Sequence, residues 1–490
     1  MPIFFVTIDV ERALGLEAVI PNFHIICLDD SERVAALIQS KVKIFCLEKA
    51  DTKFNPKIKS TNQVLSHPKV LEYIRNNNGD NGNQAKILVF KTNEGIEEIA
   101  KSNNLHILEV PSSLNKMFED KVSQYEILST TIDKKYLPKI LITQRLGEIK
   151  WEDAIAFCDT PKIVIQFPHG NSGKTTYFIK AKQEFENLRS LYPLRITKIA
   201  EYIEGISYTI NACITKYGVI SGGLNEQITG IEILTSSSGG TCGNDWTQIG
   251  LTEEKRKEMI DVTKLIGNVM IEKGFKGLFG IDFVVNEQGV YVIEINARQI
   301  ASIPMHTKIQ LKEYEMPLIL AHLIELAEMW DDFSALQLPE AVRAQVDGFK
   351  TANLDELSAK YNQPKSASQI IMRNIKHESI TINGQFTTGI YKYGGDNTGR
   401  IQEDTQNVLK IVNIDEDGDK SLCLLKIAYD VSAVNDMEGF FISTNNKGKI
   451  INPMIEIARL QFPFSALNEN KTLREWIIES VNTLKRHLLK

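Results

Sequence analysis

The chain has 490 residues, of which 43% are hydrophobic and 24% charged, and its formal net charge at pH 7 is −6. This is the composition of a globular protein with about two to four domains, and the acidic balance gives no reason to expect nucleic acid or an anionic membrane as a partner. Residues 1–12 lack the basic start and apolar core of a signal peptide, and no uncharged apolar stretch reaches the roughly 18 residues of a membrane span.

Residues 1–118 alternate apolar runs with helical segments. A first helix is predicted at residues 32–40, because Asp29-Asp30-Ser31 is a helix-start signal and an amphipathic pattern follows. Alternation of strands and helices favours a doubly wound parallel sheet, so we expect an α/β domain here. The predicted strands are residues 23–28, 42–47, 86–90 and 106–110.

A second unit is predicted at 119–215 and a third at 216–335. Asp120-Lys121 begins a helical pattern in the second unit, and the third contains a Ser/Gly loop at 236–243. The remaining elements follow from apolar runs and turn signals. The predicted strands are 139–144, 162–167, 176–180, 199–203 and 208–215, and the predicted helices are 253–273 and 317–330.

The pattern changes after Pro339 to short strands with turn signals, as at 382–385 and 394–399. We therefore predict residues 336–490 to be an appended, mostly β domain that ends in a helix at 473–489.

The cysteines are scattered, mostly within apolar runs, and none belongs to a CxxC pair. This pattern predicts reduced thiols in a cytoplasmic protein. Cys242 lies in the Ser/Gly loop, where a nucleophilic role is an alternative, but no base accompanies it locally. The six are Cys27, Cys46, Cys158, Cys213, Cys242 and Cys423.

The segment from Asp282 to Glu294 carries the strongest chemical signal. Two apolar runs flank a turn at 286–289, which predicts a β-hairpin with an acid at each end. Because a hairpin brings its ends together, Asp282 and Glu294 should be close, and Asn296 should share a face with Glu294. Two carboxylates and an amide oxygen suit Mg²⁺, and Arg298 could neutralise an anionic substrate. The alternative is a hairpin whose acids are merely solvated or paired.

Residues 168–176 form a small-residue loop that superficially resembles a P-loop. Pro168 stands where that motif needs its first glycine, and the residues after the loop have strand rather than helix character. We therefore expect a flap between two antiparallel strands. Such a flap can bind phosphate through backbone N–H groups, with Lys174 adding charge, although a plain surface turn remains the alternative.

Taken in order, these motifs resemble the ATP-grasp family of ligases, of the carboxylate–amine type. The resemblance covers roughly residues 1–330. It predicts an ATP-grasp fold that follows an N-terminal doubly wound α/β domain, the pre-ATP-grasp domain. The motifs that carry it are Asp120-Lys121, the loop 168–176, residues 201–205, Gly280-Ile281-Asp282 and Glu294-Ile295-Asn296-Ala297-Arg298.

The resemblance implies a role for each matching residue. Asp282, Glu294 and Asn296 would hold Mg²⁺, with Mn²⁺ as a substitute, while Arg298 and Lys174 would act in catalysis. Backbone groups of Glu201 and Ile203 would read the adenine. The implied ATP-binding residues are Lys121, Gln166, His169, Ser172, Gly173, Lys174, Glu201, Tyr202, Ile203 and Ser207.

Two positions depart from the family pattern. Gln166 stands where a lysine usually reaches the α- and β-phosphates, and Ser207 stands where a glutamate often holds the ribose. Either change could mean weaker nucleotide binding, a different alignment, or another way of holding ATP.

The resemblance predicts an ATP-dependent ligase that joins a carboxylic acid to an amine through an acyl phosphate, releasing ADP and phosphate. The alternatives are a biotin-carboxylase-like subunit that uses bicarbonate, and an ATP-binding regulatory module without turnover. Small-molecule acids and amines are the expected partners, and a homodimer is compatible with the resemblance. His306, Lys308 and the loop 236–243 are further candidates for substrate contact.

Overall fold

The computed structural model describes residues 1–54, 56, 59–79, 83–168, 175–237, 239–383, 388–393, 422–426 and 438–489. Among these residues, every helix is too short or too polar to cross a bilayer.

The N-terminal region forms a five-stranded parallel sheet of order β3-β2-β1-β4-β5. Alternate residues of β1 face opposite layers of helices, with Phe5 in one apolar cluster and Phe4 in another, which is typical of a doubly wound sheet. The predicted α/β domain is therefore confirmed. Its strands are β1 (Ile3–Thr7), β2 (Phe23–Cys27), β3 (Ile44–Cys46), β4 (Ala85–Val89) and β5 (Leu105–Ile107), and its helices are α1 (Glu32–Gln39), α2 (Leu47–Ala50), α3 (Thr61–Leu65), α4 (Pro68–Asn77) and α5 (Glu94–Ser102).

Helix α1 begins where the sequence indicated. The Ser31 hydroxyl accepts a hydrogen bond from the backbone N–H of Val34 at 3.3 Å, which satisfies one of the free donors at the helix start. A short 3-10 helix, Val10–Ala13, follows β1 and becomes important below.

The next region, called the lid here, is a four-stranded antiparallel sheet of order β6-β9-β7-β8. Its core includes Trp151 and Phe185, whose ring centres lie 5.6 Å apart. Helices α6 (Ser112–Glu119) and α7 (Ser123–Thr131) lead into the lid. The lid contains β6 (Ile140–Thr143), α8 (Trp151–Cys158), β7 (Ile163–Gln166), β8 (Thr176–Ile179), α9 (Lys182–Leu191) and β9 (Thr197–Glu201).

A ten-stranded sheet forms the rest, in the order β14-β13-β10-β11-β12-β15-β21-β19-β17-β18. Helix α10 packs on its central strands, through Met259 and Val262 among others. The elements of its first half are β10 (Ile206–Thr215), β11 (Gly218–Thr229), β12 (Thr241–Asp245), α10 (Glu253–Glu272), β13 (Gly277–Val285), β14 (Val290–Asn296), α11 (Ile303–Lys312) and α12 (Leu318–Leu326).

Two helices precede the C-terminal strands, which add to the same sheet. The elements are α13 (Glu340–Thr351), α14 (Leu354–Tyr361), β15 (Ser368–Arg373), β16 (Ile380–Thr381), β17 (Gly389–Tyr393), β18 (Leu422–Lys426), β19 (Glu438–Ser443), β20 (Ile450–Ile451), β21 (Glu456–Phe462) and α15 (Glu475–Leu488). Strands β16 and β20 pair separately. The domain limits at residues 118, 215 and 335 remain predictions. The pairings join β10 to strands of the third unit, and β12 to β15 of the fourth.

Candidate active site

Strands β13 and β14 form the hairpin that the sequence predicted. Asp282 lies opposite Glu294 and Gly280 lies opposite Asn296, so the polar residues gather at one end of the pair. The turn is closed by Asn286, whose backbone N–H donates to the Gly289 carbonyl at 3.1 Å. The local pairing of the hairpin therefore assembles these side chains without help from distant segments.

Asp282 is surrounded by hydrogen-bond donors. Its Oδ1 accepts from the Thr209 hydroxyl at 2.6 Å and from Gln227 Nε2 at 2.8 Å, and its Oδ2 accepts from Asn296 Nδ2 at 3.1 Å. Burial, followed by the negative charge of Glu294, raises the pKa of Asp282 to about 6. Thr209 and Gln227 lie on β10 and β11, and sequence reasoning missed both of them. Thr209 lies directly opposite Asp282, and its polar side chain on β10 was the only feature that could have indicated it.

Glu294 pairs with Lys121. The Lys121 ammonium donates to Glu294 Oε1 at 3.0 Å, and its side chain is 5% exposed against 28% for Glu294. The backbone N–H of Lys121 donates to the Pro168 carbonyl at 3.3 Å, at the start of the flap. Lys121 therefore connects the candidate metal site to the lid.

Asn296 and Arg298 continue the cluster toward the N-terminal domain. Arg298 donates to Asn296 Oδ1 at 3.0 Å, and its Nε lies 2.9 Å from Glu119 Oε1 as an ion pair. Lys91 pairs with the same carboxylate, through Oε2. The guanidinium carbon of Arg298 also lies 5.4 Å from the centre of the Phe90 ring. Arg298 thus contacts both the hairpin and the residues that follow β4.

Lys198 is the functional candidate that the sequence reasoning missed. It lies on β9 directly opposite Gln166 of β7, so the two side chains share a face of the lid sheet. Burial, and then the positive charge of Lys121, lowers the pKa of Lys198 to about 8, while Glu294 opposes this. Within the described residues its ammonium makes no hydrogen bond or ion pair. The strand was predicted to begin at residue 199, one residue too late to include it.

Gln166 itself is buried, and its Nε2 donates to the Thr176 hydroxyl at 3.2 Å. Strands β7 and β8 are antiparallel, and the Phe167 N–H donates to the Thr175 carbonyl at 3.2 Å. The segment between them therefore joins two antiparallel strands, as expected of a flap. The predicted flap residues His169, Ser172, Gly173 and Lys174 lie outside the described residues.

The linker between the lid and the ten-stranded sheet contains the predicted adenine-reading residues. The N–H groups of Glu201 and Tyr202 donate to the carbonyls of Lys139 and Lys162, both at 3.0 Å. Ile203 follows directly. Ser207 lies on β10 two residues before Thr209, so it shares a face with the residue that contacts Asp282.

His306 and Cys242 are placed in the core. His306 is 1% exposed, burial lowers its pKa to about 3, and its Nδ1 lies 3.3 Å from Asn211 Nδ2. Cys242 is fully buried, and burial raises the pKa of its thiol, which opposes a nucleophilic role. Lys308 lies 5.9 Å from the Phe440 ring centre.

No group of three or more His, Cys, Asp and Glu side chains with metal-binding geometry occurs in the described part of the chain. The hairpin offers two carboxylates and one amide. That set is sufficient for Mg²⁺, which typically takes one or two protein carboxylates and completes its shell with water and phosphate oxygens. Burial is the first cause of the raised pKa of Asp282 and the negative charge of Glu294 is the second, and a bound cation would oppose both effects.

Comparison with known proteins identifies the domain. The model of the ATP-grasp domain matches residues 118–302. The [butirosin acyl-carrier protein]–L-glutamate ligase of Niallia circulans is 29% identical over 144 residues, which cover 28% of this chain and 33% of that protein. The chain thus aligns with only a third of the length of this relative.

Solved structures share the fold over nearly the whole chain. The biotin carboxylase domain of 2-oxoglutarate carboxylase from Hydrogenobacter thermophilus, a dimer with MgADP and bicarbonate, is 11% identical with a TM-score of 0.54, covering 94% of this chain and 85% of that one. The L-amino acid ligase of Bacillus licheniformis is 11% identical with a TM-score of 0.50, covering 99% and 98%. The resemblance expected from the motifs is confirmed: residues 118–302 match the ATP-grasp domain.

Proposed function

We propose that this chain is an ATP-dependent ligase that joins a carboxylic acid to an amine. One observation carries the proposal. The end of the β13–β14 hairpin brings Asp282, Glu294 and Asn296 together with Arg298, and Lys121 connects this group to the lid. A proposed cation site beside Lys121 and Arg298 is the arrangement that phosphoryl transfer to a carboxylate requires.

Asp282, Glu294 and Asn296 are the residues proposed to hold Mg²⁺, or Mn²⁺ in its place. When bound, the ion would neutralise charge on the phosphates. The protein's own part is to keep the ligands in position. Thr209 and Gln227 hold Asp282 from neighbouring strands, and Arg298 fixes the amide of Asn296.

The proposed nucleotide site lies between the lid and the hairpin. Lys121 and Lys198 would contact the phosphates, and Lys198 would supply the charge that Gln166 lacks. Glu201 and Ile203 would read the adenine through their backbone groups, with Tyr202 between them, while Ser207 would lie near the ribose. The flap residues His169, Ser172, Gly173 and Lys174 are proposed to cover the phosphates.

In the proposed reaction, a carboxylate oxygen attacks the γ-phosphorus and ADP leaves. The amine then attacks the carbonyl carbon of the acyl phosphate, phosphate leaves, and the nitrogen loses a proton. Arg298 would hold the carboxylate and then stabilise the tetrahedral anion. Exclusion of water by the flap would protect the acyl phosphate from hydrolysis.

The relatives agree with this class of reaction. One of them is, by its name, a ligase that joins L-glutamate to an acyl-carrier protein, and another is an L-amino acid ligase. These similarities do not identify the acid or the amine, because one alignment is short and the other has low sequence identity.

The test is release of phosphate from MgATP across paired pools of carboxylic acids and amines. A ligase needs both pools, and removal of either one returns the rate to background. Turnover with bicarbonate alone would indicate a carboxylase instead. Tight binding of MgATP without turnover in any pool would indicate a regulatory module, and both outcomes would overturn the proposal.

A further inference from the structure

A crevice lies at the carboxyl ends of β1 and β4. These strands are adjacent and parallel, and the chain continues from them in opposite directions across the sheet, through β2 and β3 on one side and β5 on the other. In doubly wound sheets, ligands bind at such a switch point. Arg12 follows β1, and Phe90 follows β4.

The crevice faces the candidate active site. The guanidinium carbon of Arg12 lies 4.2 Å from the centre of the Phe90 ring, and that of Arg298 lies 5.4 Å from the same ring. Gln299 donates from Nε2 to the carbonyl of Arg12 at 2.8 Å. Phe90 therefore contacts both an arginine of the N-terminal domain and the arginine proposed to hold the reacting carboxylate.

Most of the surrounding cations already have anionic partners. Arg298 pairs with Glu119, and Arg459 forms two hydrogen bonds with Glu456, at 2.7 and 2.8 Å. Arg12 differs. Within the described residues its side chain makes no hydrogen bond or ion pair, and it is exposed to solvent.

Charged residues of both signs lie near the Arg12 guanidinium. The pKa of Arg12 is lowered, first by desolvation where the side chain packs against Phe90. Asp9 and Glu456 oppose this shift, while Arg298 and Arg459 add to it. Like charges near one another repel, and here Asp9 and Glu456 oppose that repulsion. A negatively charged group on the solvent-exposed side of Arg12, away from the Phe90 ring, would relieve this repulsion.

We propose that Arg12 binds a carboxylate that one of the two substrates keeps after ligation, at a position separate from the reacting carboxylate proposed for Arg298. The inference rests on the proposed function and names its substrate class: an amino acid as the amine, or a dicarboxylic acid as the donor. A single free guanidinium matches a singly charged carboxylate in a bidentate pair. A phosphate dianion, with twice the charge, would meet stronger repulsion from Asp9 and Glu456, which act on Arg12.

Calorimetric binding in the presence of MgADP tests this proposal on the full chain. The probes are aspartate, glutamate and succinate, each paired with its monoamide asparagine, glutamine or succinamate, together with phosphoserine. We expect at least one of the charged probes to bind about tenfold or more tightly than its amide partner. Glutamate or aspartate alone would indicate an amino acid, and succinate would indicate a dicarboxylic acid.

Variants identify the residue responsible. Arg12→Gln should remove the preference for the charged probe, a loss of about tenfold or more in its affinity, while Arg12→Lys keeps part of it. Arg145→Gln, at an exposed arginine paired with Glu148 in the lid, is the matched control and should bind like the wild type. MgADP affinity should stay within about twofold in all variants.

Equal binding of charged and amide probes by the wild type would overturn the inference, as would absence of binding for all of them or unchanged affinity in Arg12→Gln. Tightest binding of phosphoserine would overturn the assignment to a carboxylate. The proposed function is judged separately, by whether the wild type turns over MgATP only when an acid and an amine are both present.

Discussion

At the scale of single residues, the candidate site is built from charges that the protein partly balances by itself. Glu294 has the Lys121 ammonium as its partner, and Asp282 has three neutral donors but no cation. This arrangement keeps the carboxylates in place before any ion arrives. It also predicts different effects for substitutions in the hairpin and in the lid.

The double substitution Glu294→Gln with Asn296→Ala should abolish turnover of MgATP, because it removes one carboxylate and the amide from the proposed metal site. Lys121 would lose its partner while remaining buried, so we expect a loss of stability of about 1–2 kcal/mol rather than unfolding. Phosphate release and urea denaturation measure the two effects. Glu152→Gln, at an exposed lid carboxylate, is the control and should be fully active. Retained activity in the double variant would refute the metal assignment.

Lys198→Gln should weaken the binding of MgATP by about tenfold or more, because it removes the buried charge proposed to contact the phosphates. Stability should not fall, since an unpaired buried ammonium is itself unfavourable. Gln166→Lys alone should leave ATP binding equal or tighter. Adding Gln166→Lys to Lys198→Gln should restore much of the affinity, because the two positions are opposite each other on the same face. Unchanged MgATP affinity in Lys198→Gln, measured by calorimetry, would show that Lys198 does not contact the phosphates.

Part of this site follows from the sequence and part does not. The approach of Asp282 and Glu294 was predictable because a hairpin sets its own register over a short stretch of chain. The ion pair of Lys121 with Glu294 joins residues 173 positions apart, and no local pattern indicates it. Lys198 was missed because a lysine at the edge of an apolar run is usually taken to lie outside the strand.

At the scale of elements, the pairing of β10 with β11 positions Thr209. The register of this pair shifts between Thr209 and Asn211, and Gly223 on the facing strand has a φ of 66°. A glycine with positive φ at such a shift is typical of a β-bulge, which twists a strand locally. The bulge thereby helps to direct Thr209 toward Asp282.

Gly223→Ala should destabilise the protein by roughly 2–4 kcal/mol, since alanine is strained at this φ and its Cβ would lie 2.5 Å from the His306 ring. Gly348→Ala is the matched control, because it lies in helix α13 with nothing within 4 Å of the added atom. That change should be neutral or stabilising by up to about 1 kcal/mol. Urea denaturation compares the two variants, and equal stability would contradict the assigned role of the bulge.

The predicted strands of the lid agree with the structure to within about two residues, because apolar runs and turn signals are local. In the hairpin, β13 begins at Gly277, five residues before the predicted start at Asp282. The pairing of β12 with β15 was not predictable. These strands are separated by α10, the hairpin and four further helices, and their alignment depends on contacts that form only in the folded chain.

At the scale of the whole molecule, charged residues join the N-terminal sheet to the last strands. Glu11 and Arg33 form a buried ion pair at 2.6 Å, and Asp9 lies near Glu456 and Arg459 of β21. Burial, and then the charge of Glu456, raises the pKa of Asp9 to about 6. The protonated form of Asp9 is therefore more favoured in the folded protein than in the unfolded chain.

This shift predicts a pH dependence. The folded protein holds the Asp9 proton more tightly than the unfolded chain, so stability decreases as pH rises from about 4 to about 6. Asp9→Asn cannot titrate, and its amide oxygen can still accept from the Glu11 N–H. Relative to the wild type, the variant should gain on the order of 1–2 kcal/mol between pH 4 and pH 7, discounted for partial exposure. Urea midpoints of both proteins at the two pH values measure the gain, and parallel pH profiles would contradict the prediction.

The continuous sheet has a practical consequence for anyone who wishes to shorten this protein. Strand β12 bonds to β11 on one side and to β15 on the other, so a version ending near residue 335 would leave one side of β12 with unpaired N–H and C=O groups. Bare strand margins of this kind promote association between molecules. A chain that ends there is therefore expected to aggregate when expressed by itself.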